Sequence, residues 1–131
     1  MNKLMTNLII LLTISTIAGA VGQIFLKIGI NEIGVVKYSN LSVVFQNIIK
    51  IITNRFAITG LFFSAIAVFF GIILLSQNNL SFIYPLCVGA LFIAVLLLSK
   101  LFLKENISII QITGIIIIFV GILILIKFGK Q

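Results

Sequence analysis

The sequence predicts an all-α integral membrane protein with four transmembrane helices and one amphipathic helix between the first and the second. Three observations favour this fold class. Of the 131 residues, 62% are hydrophobic and 8% are charged, whereas soluble domains average roughly 45–50% and about 25%. Four apolar runs have about the 20 residues that a helix needs to cross the hydrocarbon core. A fifth, shorter run separates polar from apolar residues with a helical period.

The four predicted spans follow one another with short connections. We place them at about residues 7–30, 56–75, 80–98 and 107–126. Polar residues 76–79 link the second span to the third, and such short links make consecutive helices antiparallel neighbours. Asn106 is the expected N-cap of the last helix, because an asparagine side chain accepts hydrogen bonds from the first turn.

The amphipathic segment covers residues 41–54. Its apolar residues recur at helical spacing and its polar residues fill the opposite face. The apolar set is Leu41, Val44, Phe45, Ile48, Ile51 and Ile52, and the polar set is Gln46, Asn47, Lys50, Thr53 and Asn54. The segment is too short to span a bilayer, so we expect it to lie at the interface with Lys50 toward the head groups. A helix packed on the bundle at the membrane surface is the alternative.

Basic residues lie mostly at the ends of the apolar runs, and the formal net charge is +7. This distribution is typical of side chains that contact anionic lipid head groups, and no aromatic-interleaved basic patch indicates a nucleic-acid partner. The first and third loops carry Lys27, Lys37, Lys50, Arg55, Lys100 and Lys104, and the terminal side carries Lys3, Lys127 and Lys130. The bias favours loops in the cytoplasm and both termini outside.

Several residue types that carry chemistry are missing. The chain has no histidine and a single cysteine, Cys87, which excludes a histidine metal site and an intrachain disulfide. No nucleophile–base pair can be assembled, so we predict no enzyme, no cofactor and no metal. The two acidic residues, Glu32 and Glu105, lie outside the predicted spans. A carboxylate within the membrane is the usual device for binding cations or carrying protons, so an anionic cargo is favoured.

One side of the first helix is small and polar. It carries Ser15, Ala18, Gly19, Gly22 and Gln23, with Lys27 near its edge. Such a stripe faces protein or a cavity rather than lipid, so we interpret it as lining a substrate path with Lys27 at the mouth. Close helix packing, with a lysine that reaches the interface, is the alternative. Tyr84, beside Pro85 in the third span, either points into the bundle or is an interfacial tyrosine.

Small residues also mark the second and fourth spans. Gly60, Ser64, Ala67 and Gly71 form one narrow stripe, which predicts close helix packing. Gly114 and Gly121 lie seven residues apart on one line of the last helix, which predicts packing or a contact between subunits.

Together these features resemble the drug/metabolite transporter superfamily in its four-helix form, over nearly the whole chain. The motifs that carry the resemblance are GQIFLKIG at 22–29, SFIYPL at 81–86 and LKENIS at 103–108, followed by Gly114. The last two are similar to the EamA pattern. Small multidrug resistance proteins bind cationic drugs with a glutamate in helix one, and Gly19 stands at that position here.

The pattern of Gly22, Gln23 and Lys27 with a long amphipathic first loop looks more like the ArnE/ArnF-type subunits. Those subunits are associated with flipping aminoarabinose-phosphoundecaprenol across the inner membrane. The resemblance also implies that Tyr84 matches a tyrosine lining the transport chamber. It further implies that Gly114 and Gly121 match a glycine pair at a dimer contact.

The resemblance therefore implies a bacterial inner-membrane transporter subunit for a polyprenyl-phosphate-linked sugar, acting as a homodimer or as a heterodimer with a paralogue. We expect Lys27, helped by Arg55, to hold the phosphate while the polar head passes Gln23, Ser15 and Tyr84 and the lipid tail stays in the bilayer. A transporter of a small metabolite or drug is one alternative. A non-transporting scaffold is another, and in that case packing would fill the stripe and leave no cavity.

Overall fold

Five α-helices and one π-helical turn make up the protein, seen in a computed structural model that describes residues 3–36 and 38–128. The elements are α1 (Lys3–Ile33), α2 (Leu41–Thr53), α3 (Arg55–Gln77), α4 (Leu80–Leu98), the π-helical turn (Ser99–Leu103) and α5 (Ile109–Phe128). The described residues contain no strand, so the all-α prediction is confirmed. Lys37 and Lys130, which enter the charge count above, lie outside the described residues.

Three of the described helical segments are long and apolar enough to cross a membrane. They cover Thr6–Ile33, Arg55–Gln77 and Leu80–Leu103, with 28, 23 and 24 residues. Few of their large apolar side chains are buried, and most are partly or fully exposed, as expected where lipid rather than protein covers them. This length and composition are compatible with a membrane protein.

Glycines set the closest helix contact, which lies between α1 and α3. A Cβ atom on Gly60 would lie 2.6 Å from the backbone nitrogen of Leu26, and one on Gly22 would lie 2.9 Å from the carbonyl oxygen of Gly60. Such distances are shorter than van der Waals contact, so only glycine lets these backbones approach so closely. Gly22 of α1 and Gly60 and Ser64 of the predicted stripe in α3 therefore serve helix packing, whereas a Cβ on Gly71 would make only an ordinary contact, with Ser15 at 3.8 Å.

A polar contact joins the C-terminal end of α1 to the start of α3. Asn54, which the sequence predicted as the end of the amphipathic helix, lies between α2 and α3. Its Oδ1 accepts a hydrogen bond from the Ala57 amide at 3.0 Å, and its Nδ2 donates to the Glu32 carboxylate at 2.9 Å. Asn54 is thus the N-cap of α3. Gly29 fits beneath this cap, because a Cβ there would lie 2.8 Å from Asn54 Oδ1.

Helix α4 packs against α1, α3 and α5, whereas α5 contacts no other helix than α4 within the part of the chain that the structure describes. The contact between α4 and α5 is made where the Ile122 side chain lies over Gly89. Ile122 is 8% exposed, and the other described side chains of α5 are more open. Most of the surface of α5 is therefore available to lipid or to another protein.

Helix α5 begins two residues later than predicted, and Asn106 is not its N-cap. The hydroxyl of Ser108 accepts from the Gln111 amide at 3.2 Å, and the Gln111 side chain accepts from the Ser108 amide at 2.8 Å. This reciprocal pair is a capping box. A serine followed three residues later by glutamine satisfies two backbone donors, whereas an asparagine cap alone satisfies one, so the pair sets the start of the helix.

Candidate functional site

Two openings follow one another along the seam between α1 and α4. The first, which we call the apolar cavity, is about 280 Å³ in volume and lies between α1, α3 and α4. The second, which we call the charged groove, is about 370 Å³ and lies between α1 and the C-terminal end of α4. Gly19 and Leu91 line the cavity, and Gln23 and Val95, each about one helical turn further on, line the groove.

The apolar cavity brings together three of the predicted site residues, Ser15, Gly19 and Tyr84. The Ser15 hydroxyl donates to the backbone carbonyl of Ala67 at 2.9 Å, so it is already occupied. Tyr84 is 59% exposed and also borders an open surface groove with Ser81. The remaining lining residues are mainly apolar, namely Thr16, Ala67, Val68, Gly71, Leu75, Cys87, Val88 and Leu91.

The charged groove brings together the other two predicted residues of α1, Gln23 and Lys27. Both are exposed. The opposite wall carries Ser99 and Glu105, so a lysine and a glutamate line the same opening. Apolar residues complete the walls, namely Ile24, Leu26, Ile30, Val95 and Leu103.

The π-helical turn positions the far wall of this groove. It continues α4 as far as Leu103, and Lys104 then takes a left-handed conformation with φ 53°, which ends the helix. π-helical turns are rare and are frequent at functional sites. Ser99 is buried, and its hydroxyl donates to the Leu96 carbonyl at 3.0 Å.

Sequence reasoning assigned no role in the site to Ser99 or Glu105. A serine at the end of an apolar helix is a signal for a side chain that faces protein rather than lipid. Glu105 belongs to the LKENIS motif and lies outside the predicted spans. Its position across the groove from Lys27 depends on the π-helical turn, for which the sequence carries no signal.

The remaining predicted residues lie apart from both openings. The Arg55 guanidinium lies 4.8 Å from the centre of the Phe56 ring, and the side chain is exposed at the start of α3. Gly114 and Gly121 face open space, since a Cβ on either would have no neighbour within 4 Å. They make no packing contact within the described chain, which leaves them free to contact another molecule.

The available groups support binding by charge, hydrogen bonding and apolar contact. A lysine and a glutamine amide can bind an anionic group, and a carboxylate can accept from hydroxyl or amino groups. The groove volume falls in the range of small-ligand pockets, about 300–1,000 Å³. Comparison of the chain with protein-family models, with curated proteins and with solved structures finds no match.

Proposed function

We propose that the chain is a transporter subunit of the bacterial inner membrane that flips a polyprenyl-phosphate-linked sugar, as a four-helix member of the drug/metabolite transporter superfamily. The observation that carries this proposal is the charged groove, where Lys27 and Gln23 of α1 stand opposite Ser99 and Glu105. The charged groove lies at one end of the contact between α1 and α4, and the rest of that contact is mainly apolar. A molecule with a polar head and a hydrocarbon tail has the same arrangement of charged and apolar parts.

Helix α5 is the fourth transmembrane span in this proposal. Its 20 residues extend about 30 Å, which is the thickness of the hydrocarbon core. Lys127, in the last turn, is its one charged residue. The exposed isoleucines of α5 would be unfavourable in water and suit contact with lipid.

Helix α2 is the interfacial amphipathic helix. Its apolar side chains face away from the bundle, with Leu41 90%, Phe45 68% and Ile52 54% exposed, while the polar Asn47 is buried. This pattern favours an apolar face directed into lipid over a helix packed on the bundle by its apolar face. Lys50, which is exposed, lies near the head groups.

In the groove, Lys27 binds the phosphate and Gln23 donates a second hydrogen bond. Glu105 accepts from hydroxyl or amino groups of the sugar, which gives the two charges of the groove separate roles. Arg55 lies outside the groove and contributes at most to the general attraction for anionic lipid. The apolar cavity and the charged groove lie along the small, polar side of α1. Their presence favours a transporter over a scaffold, in which neighbouring side chains would pack against that side and leave no cavity.

Two copies, or one copy and a paralogue, form the working unit. Related transporters use paired inverted repeats, and four helices supply one member of such a pair. Gly114 and Gly121 on the open side of α5 form the dimer contact. The loops lie in the cytoplasm and the termini outside, as the lysine distribution favours.

Phosphate binding by Lys27 can be tested by deleting its charge. Lys27→Gln keeps side-chain length and polarity, and a charge-assisted contact is worth about 1.5–3 kcal/mol, or about tenfold or more in affinity. We expect Lys27→Gln to weaken the binding of undecaprenyl phosphate by about tenfold, measured by native mass spectrometry, with unchanged expression and dimerisation. The matched control is Lys127→Gln, whose amine lies 5.4 Å from the Phe128 ring centre and lines neither opening.

Equal binding by the two variants would contradict the phosphate site and make Lys27 an interface anchor. Arg55→Gln adds a control at the same end of the bundle and should change affinity much less than Lys27→Gln. A soluble sugar phosphate that binds as tightly as undecaprenyl phosphate would favour the alternative of a small-metabolite transporter.

A further inference from the structure

The apolar cavity has a lining that does not suit the polar head group which the sequence predicts to pass Ser15 and Tyr84. The hydroxyl of Ser15 already donates to the Ala67 carbonyl, at 2.9 Å, and most of the other lining side chains carry no polar group. A sugar or phosphate that entered would lose hydrogen bonds to water without replacing them, which is unfavourable. A hydrocarbon group meets no such cost.

The volume of the cavity sets how much hydrocarbon fits. An apolar cavity of about 150 Å³ holds one benzene ring. By proportion, the cavity of about 280 Å³ holds roughly ten carbon atoms. That is the size of two isoprene units or of a comparable stretch of acyl chain.

The position of the cavity relative to Lys27 matches the order of groups in a lipid. Lys27 lies eight residues beyond Gly19 on α1, which corresponds to about 12 Å along the helix axis. Lys27 is exposed near the end of the span, and the cavity extends from Gly19, buried near its middle, toward Leu75 and Tyr84 near the connection between α3 and α4. A long-chain lipid phosphate likewise has its phosphate at one surface and a chain that extends to the centre of the bilayer and beyond.

We infer that the apolar cavity is a chain subsite, which takes about ten carbons of the hydrocarbon of an anionic lipid whose phosphate lies at Lys27. This inference rests on the proposed function for the position of the phosphate. It replaces the expectation that the tail stays wholly in the bilayer, since a stretch of the chain that begins about 12 Å from the phosphate packs between α1, α3 and α4. Isoprenoid phosphates and acyl phospholipids share this chemistry.

Gly71→Leu tests the subsite by filling it. A Cβ on Gly71 would meet the Ser15 hydroxyl at 3.8 Å, an ordinary contact, so the larger side chain can extend into the cavity. Ala65→Leu, at an exposed position of the same helix, is the matched control. We compare the affinity for dimethylallyl phosphate, which is too short to reach the cavity, with that for farnesyl phosphate.

Wild type and Ala65→Leu should bind farnesyl phosphate about tenfold more tightly than dimethylallyl phosphate. A difference of this size is roughly what the burial of a few methylene groups contributes to the binding free energy. Gly71→Leu should lose most of this preference and keep the affinity for dimethylallyl phosphate. A chain-length preference in Gly71→Leu equal to that of wild type would overturn the subsite.

A second measurement needs no substitution. Cys87 lines the cavity and is the single cysteine of the chain, so its alkylation by N-ethylmaleimide reports occupancy. Undecaprenyl phosphate should slow this reaction severalfold, whereas inorganic phosphate should not. Dioleoyl phosphatidic acid distinguishes an isoprenoid subsite from one that takes any lipid chain. Labelling that neither lipid slows would contradict the inference.

The two proposals fail separately. If Lys27→Gln leaves binding unchanged, the phosphate site is wrong, and the chain-length comparison in Gly71→Leu still decides the subsite. If Lys27→Gln weakens binding while Gly71→Leu retains the chain-length preference, the charged groove stands and the chain subsite is rejected.

Discussion

Gly60→Ala tests the packing of α1 against α3, the two helices that form the apolar cavity together with α4. The added Cβ would lie 2.6 Å from the Leu26 nitrogen and 2.8 Å from the Gly22 carbonyl oxygen. Both are backbone atoms, so the helices must move apart to relieve the contact. Overpacking of this kind costs about 1–3 kcal/mol.

The same substitution also raises helix propensity, since alanine is favoured over glycine by about 1 kcal/mol. The net expectation for Gly60→Ala is a loss of up to about 2 kcal/mol in the free energy of unfolding, and a stability about 1–3 kcal/mol below that of a variant with the propensity gain alone. Gly121→Ala is the matched control, because its Cβ meets no atom within 4 Å and it keeps only the gain in propensity. Reversible unfolding in mixed micelles, followed by circular dichroism, measures both. Equal stability of the two variants would refute the close glycine contact.

Three further predictions concern assembly, cargo and the α3 cap. Replacing Gly114 and Gly121 by leucine should weaken self-association, because bulky side chains block close approach. Crosslinking in native membranes checks this, and an unchanged dimer signal would show that the subunits contact each other at a different surface. The chain should give no resistance to quaternary-ammonium drugs, because Gly19 stands where the multidrug proteins have an acid. Proton-coupled drug efflux in vesicles would contradict this prediction and would favour a multidrug transporter. Asn54→Ala should lower the free energy of unfolding by about 1–2 kcal/mol, through loss of the cap and of the bond to Glu32. An unchanged micelle denaturation curve would show that neither bond contributes.

The helical architecture could be read from the sequence because its signals are local. Apolar runs and the polar break at residues 76–79 place α3 and α4 close to where the structure has them. The start of α5 was missed by two residues, because the Ser108 and Gln111 pair competes with Asn106 as a cap. The π-helical turn was missed because it reflects tertiary contacts at the end of α4 and not a residue preference.

Helix geometry explains how the structure divides the predicted site residues of α1 between the two openings. Residues four apart on a helix are offset by about 40°, so a stripe over twelve residues turns by about 120°. Ser15 at one end therefore contacts α3, whereas Lys27 at the other end faces the end of α4. A helical wheel shows this offset but does not show which helix covers each residue. The division into an apolar cavity and a charged groove depends on which helix covers each part, and that depends on long-range packing.

The most direct test of the central claim is a flipping measurement in vesicles that contain this chain alone. A fluorescent polyprenyl-phosphate-linked sugar is placed in both leaflets, and a membrane-impermeant reductant reports how quickly the inner pool becomes accessible. Vesicles with the wild-type chain should expose the inner pool much faster than protein-free vesicles. Lys27→Gln should slow this by about tenfold, as expected from one lost charge-assisted contact. A wild-type rate equal to that of protein-free vesicles would contradict the proposal that this chain flips a lipid-linked sugar.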